Sequence, residues 1–128
     1  FNMSTLSVAT VKSLSSAPPV FQDSSGTEKG QLCKVWINFN GSGTVSIVGS
    51  FNVSSLADRG TGSYTINFSN AMANDNYCAA TMPRANSVTA GVGAQSELST
   101  TNMLYQSRNG SGSLTDREVL GVAIFGDN

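Results

Sequence analysis

The chain has 128 residues, the size of one domain, and a formal net charge of −1. Charged residues make up only 12%, and the seven basic ones are scattered, so no basic stripe is present to neutralise a nucleic-acid backbone. No apolar run approaches the roughly 20 residues of a membrane-spanning helix, so we expect no membrane insertion. Abundant Ser, Asn and Gly favour short strands and tight turns over long surface helices.

The first part of the chain, residues 1–31, differs from the rest. Residues 6–11 alternate in polarity and predict one strand, and Pro18-Pro19 predicts an extended stretch, because proline fixes φ and biases the preceding residue away from helix. We interpret residues 1–31 as an arm that is ordered by packing on neighbouring subunits or on a docking platform. The start of the chain lacks the pattern of a signal peptide, and Met3 is a candidate natural start.

Residues 32–128 carry the signals of a β-rich head domain. Residues 33–40 alternate with a period of two, which is typical of a half-buried strand. Turn chemistry at residues 40–43, followed by an apolar stretch at 44–48, predicts a hairpin. Further strands are predicted at residues 63–68, 77–82, 87–92, 98–105 and 118–125. Short strands at regular spacing predict an all-β fold, an antiparallel β-sandwich of jelly-roll-like form.

The sequence offers no catalytic constellation. It contains no histidine, the commonest general base, and its carboxylates fall mostly in predicted turns, where solvated or turn-forming roles are usual. Two cysteines without histidine argue against a structural zinc site. We expect Cys33 and Cys78 to be two small buried thiols; a disulfide between them is possible but is not implied by the sequence. The prediction is a protein that is not an enzyme and holds no metal or cofactor.

Two groups of residues are candidates for binding. Trp36 lies on the opposite face of its strand from its apolar neighbours, so that face is either covered by an arm or a neighbouring subunit, or it forms a ligand platform. We favour burial, and the final strand is apolar on both faces, which is typical of an interface or a sheet centre. The candidate interface residues are Trp36, Val119, Val122 and Phe125. The candidate receptor-binding residues, on predicted loops, are Arg84, Asn86, Tyr105 and Arg108.

One long stretch of the chain resembles a known group of proteins. Residues 33–45, which read Cys-Lys-Val-Trp-Ile-Asn-Phe-Asn-Gly-Ser-Gly-Thr-Val, and their continuation over residues 50–68 resemble a motif of small bacteriophage structural proteins. Those proteins are described as tail-fibre or virion components, notably in phages of cyanobacteria. Short segments at residues 3–6, 18–23 and 122–127 are similar to the same group. The resemblance does not extend over residues 82–115, where receptor contacts are expected to vary.

The resemblance implies a virion protein, made in the cytoplasm of the host bacterium, that forms a homotrimer and attaches to other virion proteins through its N-terminal arm. The implied function is that of a tail-fibre or spike subunit that mediates attachment to host surface polysaccharide or protein. A capsid decoration (head-fibre) protein that stabilises the shell is the first alternative, and a polysaccharide depolymerase or a lectin is a weaker one. The resemblance assigns no role to any individual residue.

Overall fold

The computed structural model describes residues 6–14, 19–83 and 92–126. The chain divides into two compact units, Phe1–Gln31 and Leu32–Asn128. The secondary structure is 49% strand, and the described residues contain no helix, which confirms the predicted all-β class. No helix in this part of the chain is therefore long and apolar enough to cross a membrane.

The first unit contains one small hairpin, in which β1 (Phe21–Gln22) pairs antiparallel with β2 (Glu28–Gly30). Asp23 closes the turn, since its Oδ1 accepts hydrogen bonds from the backbone N–H groups of Ser25 and Thr27 at 2.9 and 3.0 Å. The Ser25 hydroxyl foremost, then the Lys29 ammonium 3.1 Å from Asp23 Oδ2 and the backbone contacts, lower the pKa of the Asp23 carboxyl to about 2. The hairpin is thus held by local polar contacts.

The second unit consists of two four-stranded antiparallel sheets. Its strands are β3 (Val35–Asn40), β4 (Ser46–Phe51), β5 (Val53–Asp58), β6 (Ser63–Phe68), β7 (Cys78–Pro83), β8 (Val92–Leu98), β9 (Asn102–Arg108) and β10 (Leu120–Phe125). Sheet 1 has the order β4-β3-β10-β7 and sheet 2 the order β5-β6-β9-β8. The predicted β3–β4 hairpin is confirmed. The strand predicted for residues 6–11 is wrong, because those residues join no ladder.

Both sheets turn one face to a shared core. In β3, β6, β9 and β10 every second residue is buried, as the period of a strand requires. Phe39 of sheet 1 packs edge-to-face on Tyr64 and Tyr105 of sheet 2, with ring centroids 5.1 and 5.9 Å apart. The buried apolar residues are Val35, Ile37, Phe39, Tyr64, Ile66, Phe68, Met72, Tyr77, Met103, Tyr105, Leu120, Val122 and Ile124. Two packed sheets agree with the predicted sandwich, while its jelly-roll-like form stays a prediction.

The chain first passes from sheet 1 to sheet 2 between β4 and β5, where the link is a single residue, Asn52. Asn52 has φ of 57°, a left-handed conformation that asparagine tolerates better than most residues. Its side-chain Nδ2 donates to the carbonyl oxygens of Lys34 and Asn70, both at 3.2 Å. Its Oδ1 accepts from the backbone N–H of Asn70 at 2.8 Å. Asn52 thereby fixes the crossing against two other segments.

The hairpin turn between β5 and β6, within sheet 2, is organised around Gly62. Its φ is 63°, and its N–H donates to Asp116 Oδ1 at 2.6 Å while its carbonyl accepts from Ser107 N–H at 2.7 Å. A Cβ atom at this position would lie 2.5 Å from the backbone nitrogen of Thr115 and 2.6 Å from the carbonyl oxygen of Ser107. Both neighbours are backbone atoms, so the space admits glycine alone.

We predict that Gly62→Ala lowers the free energy of unfolding by about 3 kcal/mol or more, since backbone strain and a backbone clash add together. Gly43→Ala is the matched control: Gly43 has a similar φ of 66° but no atom within 4 Å of the added Cβ. Only the left-handed strain of roughly 1–2 kcal/mol applies there. Urea unfolding measures both variants, and equal losses would contradict the steric explanation.

Candidate functional site

The outward face of sheet 1 is the most unusual surface of the second unit. Because Val35, Ile37 and Phe39 point into the core, the alternation of β3 places Trp36 outside. Strand register then aligns four outward residues in one row across the sheet: Phe51, Trp36, Ala123 and Ala80. None of these four side chains carries a polar group beyond the indole N–H of Trp36.

The two adjacent rows of outward residues are also largely apolar. The next row consists of Gly49, Asn38, Gly121 and Met82, and the row on the other side includes Phe125 and Cys78. We call this surface the apolar face; it comprises Trp36, Asn38, Gly49, Phe51, Cys78, Ala80, Met82, Gly121, Ala123 and Phe125. None of these ten residues is charged, and their polar side-chain groups are the amide of Asn38, the indole N–H of Trp36 and the thiol of Cys78. Lys34, which directly precedes β3 on the parity of Trp36, adjoins this face and is itself 9% exposed.

Small residues shape the apolar face. The six-membered ring of Trp36 lies over Gly49, where a Cβ would be 3.4 Å from the nearest ring carbon. Gly121 leaves open the space beside Met82, whose carbonyl oxygen would lie 3.6 Å from an added Cβ. The result is a groove of about 370 Å³ between Trp36 and Met82. Its lining residues are Trp36, Ile37, Asn38, Met82, Val119, Gly121, Val122 and Ala123.

The large side chains of the apolar face are well exposed. The exposed fractions are 43% for Trp36, 55% for Phe51, 71% for Met82 and 40% for Phe125. Together they expose on the order of 400 Å² of apolar surface, taking roughly 200 Å² for a fully exposed side chain of this size. Removing that area from water is worth at most about 10 kcal/mol, at 25 cal/mol per Å².

The outward face of sheet 2 has the opposite character in its described residues. Its central strands β6 and β9 present Ser, Thr, Asn, Gln and Arg side chains, with Leu104 as the apolar exception. These groups bond one another: Arg59 Nε donates to Thr65 Oγ1 at 2.9 Å, and Asn67 Nδ2 donates to Ser55 Oγ at 3.0 Å. The contrast between the two outer faces makes the outward face of sheet 1 the candidate contact surface.

The structure changes the assignment of the candidate receptor residues. The prediction for Tyr105 is wrong, because its side chain is fully buried and stacks on Tyr64 at 6.4 Å. Arg108 is half-buried and bonded within its own turn, with Nη1 donating to the Gly112 carbonyl at 2.9 Å and Nη2 to Gln106 Oε1 at 2.5 Å. Arg84 and Asn86 lie outside the described residues. The inward position of Tyr105 follows from the register of β9, which the sequence pattern left open.

The candidate interface residues fall on two different faces. Trp36 and Phe125 lie on the apolar face, and Val119, half-buried, borders its groove. The prediction for Val122 is wrong as a side-chain interface, because that side chain is 3% exposed and points into the core. Strand β10 buries Leu120, Val122 and Ile124 and turns Gly121, Ala123 and Phe125 outward.

The two cysteines are free thiols, as expected, but only one is sheltered. Cys33 is half-buried, and its thiol donates to the Val35 carbonyl at 3.1 Å. The prediction that Cys78 is buried is wrong, because it faces outward on the edge strand β7. The pairing of β7 with β10 places Cys78 opposite Phe125 on the apolar face.

Phe51, Met82 and Ala80 were missed as members of this site. Phe51 and Met82 are apolar residues near strand ends, and only the pairing of β4 and β7 with the central strands brings them beside Trp36. A signal was nevertheless present: from residue 42 to residue 57 the chain has no charge at all. An edge strand without charge or proline is unusual unless another chain covers it.

In residues 6–14, 19–83 and 92–126, no three His, Cys, Asp or Glu side chains lie together as the ligands of a metal ion would. Comparisons with protein-family models, curated proteins and solved structures found no match. The apolar face is therefore the candidate site on which a functional proposal can be built.

Two stacked tyrosines in the core differ in their hydroxyl groups. The Tyr64 hydroxyl lies 2.6 Å from the Gly41 carbonyl oxygen and 2.9 Å from Asp116 Oδ1, and these two acceptors share its single hydrogen. The Tyr105 hydroxyl is buried without a hydrogen-bond partner in the described structure, and burial raises the pKa of this phenol to about 12. The Tyr64 hydroxyl is therefore hydrogen-bonded, whereas the buried, unpaired Tyr105 hydroxyl lowers the stability of the fold.

We predict that Tyr64→Phe lowers the free energy of unfolding by about 1–3 kcal/mol, because buried acceptors lose their donor. Tyr105→Phe keeps the same ring and removes an unpaired buried hydroxyl, so stability should stay unchanged or rise slightly. Urea unfolding of the two variants makes the comparison. A larger loss for Tyr105→Phe than for Tyr64→Phe would contradict this assignment.

Proposed function

We propose that the protein is a structural subunit, not an enzyme, that works as a homo-oligomer with its apolar face buried between copies. The observation that carries this proposal is the contrast between an uncharged apolar face on sheet 1 and a polar outer face on sheet 2. At about 400 Å², this surface is as large as the largest apolar patch of a typical soluble monomer, and such patches are often functional contact sites. Aromatic residues and Met are also the residue types enriched in protein interfaces.

A protein partner suits the groove better than a sugar does. Sugar recognition needs several polar side chains or backbone groups placed to bond hydroxyls, and the groove offers the amide of Asn38 alone among its lining side chains, apart from the indole N–H of Trp36. Sugar hydroxyls buried here would lose water without gaining partners, which costs binding energy. Apolar side chains from another polypeptide incur no such cost.

The resemblance of residues 33–68 to phage structural proteins supports a more specific form of the proposal. In that form the chain is a tail-fibre or spike subunit of a phage virion, trimeric, with a jelly-roll-like head and an N-terminal arm that binds other virion proteins. The head mediates attachment to host surface polysaccharide or protein. Among the candidate receptor residues, Arg84 and Asn86 keep this role, and Tyr105 leaves it because its side chain is buried.

One observation favours the alternative of a capsid decoration protein. Arg108 bonds within its own turn and Tyr105 belongs to the core, so two of the four receptor candidates already have structural roles. A decoration protein needs a stable oligomer and an anchor but no receptor loop. The same apolar face would serve that oligomer.

We predict that Trp36→Gln weakens self-association by at least about 30-fold, because truncating a central interface Trp commonly costs 2 kcal/mol or more. Leu104→Gln is the matched control: it changes an outward, half-buried residue on a central strand of sheet 2 and should leave association unchanged. Sedimentation velocity over a range of protein concentrations measures both. Equal association of Trp36→Gln and the unaltered protein would remove the apolar face from the interface.

The position on the particle is tested by labelling purified virions with an antibody against this chain and imaging them by electron microscopy. A fibre or spike subunit predicts label on the tail or its fibres. Label spread over the capsid would instead assign the chain to decoration. Particles without label would contradict a virion role.

A further inference from the structure

The described residues of the first unit leave their apolar side chains largely exposed. No described residue between 6 and 14 or between 19 and 31 is buried. Four large apolar side chains in residues 6–14 are exposed by 80% (Leu6), 54% (Val8), 61% (Val11) and 105% (Leu14). We call residues 6–14 the arm segment. It is strand-like in sequence but joins no ladder, and its large apolar side chains are exposed.

The area of the apolar face indicates what covers it. Two apolar faces in direct contact would bury on the order of 800 Å² in total, which is within the range of non-specific lattice contacts. Specific interfaces bury about 1,200–2,000 Å². By the same measure, the four apolar side chains of the arm segment expose on the order of 600 Å², somewhat more than the apolar face. If each copy gives one arm segment and receives another, the total reaches at most about 2,000 Å², within the size range of specific interfaces.

Charge and shape agree with this match. The apolar face has no charged residue, and the arm segment has one, Lys12. In an extended chain Leu6 and Val8 point to the same side about 7 Å apart, which suits two neighbouring side chains in an elongated groove. The groove has room for them because Gly121 and Ala123 form part of its lining.

We propose that the arm segment of one copy binds the apolar face of a second copy, with Leu6 and Val8 in the groove between Trp36 and Met82, and that every copy in the oligomer both gives and receives one arm segment. This inference rests on the proposed homo-oligomer and names its contact. On association, the apolar side chains of an extended arm segment become buried against the outer face of sheet 1. An isolated copy leaves both its arm segment and its apolar face exposed.

Cysteine pairs test the exchange in the full chain. Two chains with different affinity tags, both carrying Cys33→Ser and Cys78→Ser, are co-expressed; one adds Val8→Cys and the other Met82→Cys. Mild oxidation with copper phenanthroline should give a disulfide-linked heterodimer on non-reducing gels. The control replaces Met82→Cys with Leu104→Cys on the outer face of sheet 2, and this pair should cross-link at least tenfold less.

Each other outcome overturns a defined part of the account. A chain carrying both Val8→Cys and Met82→Cys that links only within itself would overturn exchange between copies. No Val8–Met82 link, while the unaltered protein sediments as an oligomer, would overturn the arm contact and leave the homo-oligomer standing. An unaltered protein that sediments as a monomer at every concentration would overturn both proposals.

Discussion

The side-chain alternation of β3 is the constraint on which the rest of this structure depends. Successive side chains of a strand point to opposite sides, so the burial of Val35, Ile37 and Phe39 forces Trp36 outward. The inward side chains build the core, because Phe39 contacts the two stacked tyrosines of sheet 2. The outward position of Trp36 leaves a large aromatic residue in the centre of an outer face. Fold and contact surface therefore arise from the same six residues.

The neighbouring strands adapt to this outward tryptophan. Strand β4 places Gly49 beneath the Trp36 ring, and β10 places Gly121 and Ala123 beside it. The outer face therefore carries small residues next to the large side chains of Trp36 and Met82. The alternation of small and large residues produces a groove and not a flat surface. Glycine in a strand weakens it and often marks close approach by another group. Two such glycines on one outer face are explained together if a second chain lies there.

Much of the architecture could be predicted from the sequence because it rests on local pattern. The period of two in residues 33–40 and 63–68 gives the central strands and their buried faces. The faces of Tyr105 and Val122 could not be predicted so securely, since both lie in segments where apolar and small residues are mixed and the period is weak. A shift by one residue reverses every side chain in a strand.

The composition of the apolar face could not be predicted for a related reason. Its members come from four strands, and their meeting depends on registers that are set by turns, bulges and core packing over long sequence separations. The sequence predicted Trp36 and Phe125 as interface residues, but it did not indicate that Phe51, Cys78 and Met82 lie on the same face. The strand predicted at residues 6–11 is instructive as well, because strand propensity without a pairing edge gives no strand within one chain.

The fluorescence of Trp36, the single tryptophan of the chain, tests the central claim most directly. At 43% exposure the indole of an isolated copy is in contact with water, and burial between copies would remove that contact. The account predicts that the emission maximum moves to shorter wavelength as protein concentration rises, in step with the increase in mass measured by light scattering. An emission maximum that stays at the wavelength of a water-exposed indole while the mass increases would show that the copies associate through another surface.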